Sequence, residues 1–134
     1  MSSNTIHVFM PEVYPRRLYV VRGKDKAKLI KQAFCTYDKE DLAGIDESKE
    51  WAGACTWSRI MFRDTGKLGV LVWIINNATP PSLAHEAVHV ANIMFKELGI
   101  DTGYDHDEHY AYMVQWVTDC LWQVVTNKFK EVKV

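Results

Sequence analysis

Leu83-Ala84-His85-Glu86-Ala87-Val88-His89-Val90-Ala91 is the stretch that organises this chain. Inside it His85, Glu86 and His89 form an HExxH pattern, and every neighbour suits a helix. At helical pitch, residues four apart stack on one face, so both imidazoles point the same way. Two such rings can grip one zinc ion, with Glu86 beside them as general base for hydrolysis. Leu83, Ala87, Val90, Met94 and Leu98 make one apolar stripe, and Ala84, Val88, Ala91 and Phe95 make the next. His85 and His89 then share the remaining polar strip with Asn92 and Lys96, as expected of an otherwise buried helix that lines a cleft.

The helix has clear limits. Thr79 followed by Pro80 suits an N-cap and a first-turn proline. Gly99 suits a left-handed C-terminal cap after Leu98. Asp101 to Asp107 reads as an acidic loop. A second helix then runs to about Asn127, with Val114, Val117, Leu121 and Val124 at core spacing.

A catalytic zinc takes a third protein ligand and keeps one position open. Candidates sit together in Asp105-His106-Asp107-Glu108-His109. Glu108 is preferred, because it starts the second helix and its carboxylate suits zinc. The competing role for Glu108 is a capping box with Asp105. His109 and His106 are the alternatives, giving a three-histidine site. His109, Tyr112 and His106 are also candidates to contact substrate or a developing oxyanion.

Upstream, Ile6 to Met10 and Leu18 to Val21 read as short strands separated by turn residues near Pro11 and Pro15. Lys24 to Phe34 reads as a helix, and Asp38 to Glu50 as an acidic surface loop. Ala52 to Phe62 reads as a strand bent near Gly53. Asp64-Thr65-Gly66-Lys67 supplies hairpin turn chemistry, and Leu68 to Ile75 returns as a strand. Strands and helices mix without βαβ alternation, so the expected class is α+β.

The 134 residues suit a single domain spanning 1–134. A net charge of −1 argues against a broad nucleic-acid footprint. Arg16-Arg17 and the Arg22 to Lys31 stretch read as solvated basic faces. The longest strongly apolar run, Leu68 to Ile75, is far short of a membrane span. Met1-Ser2-Ser3-Asn4 lacks the pattern of a signal peptide. Cys35, Cys55 and Cys120 form no CxxC pair, which predicts reduced thiols and a cytoplasmic setting. The tryptophans Trp51, Trp57, Trp73, Trp116 and Trp122 read as core or as a surface for a partner, and His7 as structural.

The stretch Leu83 to Ala91, together with Asp107-Glu108-His109-Tyr110-Ala111-Tyr112, resembles a minimal zincin of the gluzincin type. It is similar to small metallopeptidase-like proteins of bacteriophage genomes. It is less like the SprT-like proteases, whose usual basic or zinc-ribbon additions are missing. The resemblance runs from about Leu68 to Trp116. It implies a zincin-like fold: a small twisted mixed sheet packed on the HExxH helix and a C-terminal helix that carries a glutamate ligand. It also implies an edge strand over the cleft, here Leu68 to Ile75, that docks an extended peptide by strand addition. Longer gluzincins add a domain for the far wall of the cleft, so an open cleft and a narrow or weak activity are expected. The function implied is that of a zinc-dependent endopeptidase acting on a peptide or protein substrate, with zinc-activated water and Glu86 as base. The alternative is a zincin-shaped phage protein that binds a host or virion protein without cutting it. The setting would be the host cytoplasm or a virion.

Overall fold

The computed structural model describes residues 5–45, 53–76, 78–101 and 107–129. In chain order these form β1 (His7–Phe9), β2 (Arg17–Arg22), α1 (Ala27–Ala33), β3 (Phe34–Thr36), β4 (Ala54–Phe62), β5 (Leu68–Ile74), α2 (Pro80–Leu98) and α3 (Asp107–Thr126). The five strands make one mixed sheet in the order β1-β2-β5-β4-β3. β5 runs parallel to β2 and antiparallel to β4. The architecture is a single-domain α+β fold.

The sheet is covered on both faces. Leu18, Val20, Val70, Val72 and Ile74 join α2 and α3 residues in one core. The alternate residues Tyr19, Val21, Leu71 and Trp73 join Ile30, Phe34, Leu42 and Ile45 in a second core. β2 and β5 therefore contribute side chains to both cores, which explains why both read as near-continuous apolar runs. Trp73 is buried and stacks 6.2 Å from the half-buried Trp57. The β2–β5 contact is close: a Cβ on Gly69 would fall 2.2 Å from the Arg17 carbonyl oxygen.

This arrangement overturns one expectation. Leu68 to Ile75 is not an edge strand; β5 is the middle of the sheet, with both its edges paired. Its backbone donors and acceptors are already used, so no peptide can add there. The end strands are β1 and β3, and β4 is open along part of its length. β3 pairs only with Ile60, Met61 and Phe62, so among the described residues no strand covers the outer edge of Ala54 to Trp57.

Two further boundaries differ from expectation. The first helix ends at Ala33, and Phe34-Cys35-Thr36 turns into β3, because the Phe34 aromatic ring belongs to the second core. The helix carrying the histidines is not buried all round either. Ala84 and Val88 are exposed, whereas Ala91 and Phe95 from the same stripe are buried against α3. Other boundaries agree closely. Thr79 and Ser82 form a reciprocal capping box, with bonds of 3.3 and 2.9 Å, and Gly99 closes α2 at φ 70°.

Candidate metal centre

Helix α2 presents His85, Glu86 and His89 from its N-terminal half. Their ligand atoms all lie within 4.8 Å of one another. The two Nε2 atoms stand 3.1 Å apart, with the rings edge to face. Two nitrogens bound to one tetrahedral zinc, each at about 2.0–2.1 Å, stand roughly 3.3 Å apart. The spacing also serves an N–H···N bond between two neutral rings. In either case the helix delivers both nitrogens to one point, and both rings are exposed.

Glu86 differs from its neighbours. The residue is 7% exposed, and with Lys26 it is one of two charged residues buried as a whole among the described residues. Its Oε1 accepts a hydrogen bond of 3.1 Å from the Thr56 hydroxyl on β4. A carboxylate out of water needs such a partner, and this one fixes its orientation against the sheet. Cys55, the preceding strand residue, has its thiol pushed up by burial and by the Glu86 charge. The centre thus lies between α2 and the part of β4 whose outer edge is uncovered. The chemistry available there is a pair of imidazole donors open to solvent and one sheltered base.

The remaining candidates fall elsewhere. Glu108 lies in the first turn of α3, exposed, beside Asp107, and is not part of the 4.8 Å cluster. In that position its charge also favours the positive end of the helix. His109 and Tyr112 line a second hollow of about 430 Å³ with Met10, Tyr14 and Trp116. His106, Trp51 and the proposed cap Asp105 lie outside the described residues. The three cysteines are free, two of them buried, and none joins the metal-capable group. His7 is structural: it stacks on Phe129 with centroids 5.2 Å apart.

Sequence reasoning missed Thr56. Nothing local marks it, because its role arises only when β4 packs on a helix thirty residues downstream. It also missed a polar group further along α2, where the Tyr37 hydroxyl donates to Glu97 and Arg16 lies 3.8 Å from the same carboxylate oxygen. No family model matches this chain, and neither a curated protein nor a solved structure does.

Proposed function

We propose that this chain is a zinc metallopeptidase, an endopeptidase in which His85 and His89 hold the ion and Glu86 is the general base. The observation that carries the reading is the 3.1 Å approach of two imidazole nitrogens beside a buried carboxylate anchored by Thr56. The donor set fits the metal, since imidazole and carboxylate suit zinc, whereas calcium and magnesium call for all-oxygen sites. Zinc held there would supply Lewis acidity toward the scissile carbonyl and the attacking water.

The rest falls to the chain itself. Thr56 engages Glu86 Oε1, which assigns proton transfer to Oε2. Glu86 takes the proton of the attacking water and delivers it to the leaving amine. The β4 edge from Ala54 to Trp57, beside that carboxylate, takes over the docking role first expected of β5. Glu108 is our choice of third ligand, resting on the donor chemistry of the acidic turn that opens α3. A peptide or protein is the substrate class. A cytoplasmic setting, that of the host or a virion for a phage-encoded chain, suits free thiols. No helix among the described residues is long and apolar enough to cross a membrane.

One observation favours a second reading, a domain that holds a protein without cutting it. α3 presents Tyr112 and Trp122, 62% and 44% exposed, on a groove of about 660 Å³ that Trp116 also lines. Exposed aromatic patches of this kind mark protein-binding surfaces. The deciding experiment compares wild type with Glu86→Gln on a peptide library, reading new termini by mass spectrometry. General-base assistance is worth about 10²–10⁴-fold. The metallopeptidase reading expects Glu86→Gln to keep its zinc and lose cleavage by that factor. Equal cleavage by both proteins overturns the mechanism, and zinc binding with no cleavage by wild type shifts the assignment to the binding domain.

A further inference from the structure

The uncovered edge of β4 has a defined end. β3 takes over the pairing at Ile60, and the β4–β5 register shifts between Trp57 and Ile60. Arg59 sits in that irregularity with φ 55°, a left-handed conformation that few residues other than glycine adopt. Bulges of this kind re-aim a side chain. The Arg59 guanidinium lies 4.9 Å from the centroid of the Tyr37 ring.

Tyr37 is itself held in place. Its hydroxyl donates to Glu97 Oε1 on α2, and Arg16 Nε stands 3.8 Å from that oxygen. Burial first, then Glu97, push the Tyr37 phenol up to about 12, so the ring stays neutral. The group contains two guanidiniums and one carboxylate, 2 − 1 = +1. Arg16 and Glu97, with side chains 17% and 8% exposed, offset each other within the fold. The surplus positive charge is therefore on Arg59, which is exposed.

Position links this charge to the metal centre. Glu97 lies on the same helix as Glu86, about 16 Å further along at the rise of an α-helix. On the strand, Arg59 is three residues beyond Thr56, at most roughly 10 Å along the chain. A peptide lying on this edge passes the Glu86 carboxylate near Thr56 and reaches Arg59 where the edge closes.

Building on the metallopeptidase reading, we infer that Arg59 sets substrate specificity: peptides docked on the β4 edge present a carboxylate to its guanidinium, about three residues from the bond beside Glu86. A peptide has two such groups, an acidic side chain and a free C-terminus. Both are planar acceptors that match the guanidinium fork. Tyr37 and Glu97 act as positioning residues that hold the fork at the end of the uncovered β4 edge.

The test reads binding rather than turnover. Zinc-loaded Glu86→Gln, which leaves peptides intact, is titrated by fluorescence anisotropy with four labelled hexapeptide sets. These carry an acidic side chain with an amidated end, a free C-terminus without acidic residues, neither group, or a basic residue with an amidated end. At least one carboxylate set should bind about three- to tenfold more tightly than the neutral amidated set. The advantage should vanish when Arg59→Gln is added and return in part with Arg59→Lys, while neutral peptides bind unchanged. Both substitutions keep a Cβ and a long stem, and circular dichroism checks that the fold survives. Which carboxylate set gains identifies the source. Equal affinity in all sets, an advantage that survives Arg59→Gln, or no peptide binding overturns the inference. Cleavage by wild type without any preference for carboxylates overturns it while leaving the metallopeptidase reading intact. Arg59-dependent binding with no cleavage by wild type sustains this assignment and removes the hydrolytic one.

Discussion

Thr56 donates a 3.1 Å hydrogen bond to Glu86, joining the uncovered part of β4 to the helix that carries both histidines. The bond gives a buried carboxylate its partner and engages its Oε1. Thr56→Val keeps the side-chain shape and removes the donor. A buried acceptor left without a partner costs about 1–3 kcal/mol, so chemical denaturation should show a loss in that range, with Thr56→Ser restoring most of it. Unchanged stability in Thr56→Val would show that water satisfies Glu86 instead.

Metal binding should be read directly in stability. A ligand that binds only the folded state stabilises it by about 2.7 kcal/mol at a hundredfold excess over its dissociation constant. Added zinc should raise the melting midpoint of wild type, and chelator should reverse the effect. His85→Ala and His89→Ala should show neither, because each removes one of the two converging nitrogens. Loss of the zinc response in Glu108→Ala would support that residue as the third ligand. Retention there, with loss in His109→Ala or His106→Ala, would move the assignment.

His7 supplies a pH dependence remote from the metal centre. Burial lowers its pKa from 6.5, so the unfolded chain takes up this proton at a higher pH than the folded one. Its share of stability is full above about pH 6.5 and is lost as pH falls through the lowered folded value. His7→Phe keeps a ring against Phe129 and removes the titration. Denaturation of metal-free proteins between pH 7.5 and 5 should therefore show wild type losing more stability than His7→Phe. Parallel curves would contradict this.

Gly69→Ala tests how tightly β2 and β5 approach. The new Cβ would meet the Arg17 carbonyl oxygen at 2.2 Å and the Tyr19 ring at 2.8 Å, so the parallel pair must separate. Overpacking of this kind costs about 1–3 kcal/mol, and a lower denaturation midpoint should record it. Gly53→Ala, with nothing within 4 Å of the added carbon, is the control and should change little.

Local chemistry decided a large part of this protein. The helical spacing of His85 and His89, the Thr79 cap and the Gly99 stop all act within a turn or two, and the structure reproduces them. Hairpin chemistry at Asp64 to Lys67 likewise placed β4 beside β5. Strand order was another matter. Leu68 to Ile75 reads as a strand covered on both faces, and that property belongs to an interior strand. A strand's position within a sheet depends on which distant segments find its two edges, and no periodicity within β5 encodes that.

The same division runs through the candidate site. Its donors are adjacent on one helix, so the sequence alone determined that two imidazoles and a carboxylate come together. Tertiary packing decided that the carboxylate is the buried member, that Thr56 holds it, and that β3 leaves Ala54 to Trp57 of β4 unpaired on the outer side. It also brought Arg16, Tyr37, Arg59 and Glu97 together from four separate segments. Contacts within a helical turn are set by the fixed geometry of the backbone. Contacts between remote segments exist only once burial of two apolar faces has fixed how helix and sheet meet.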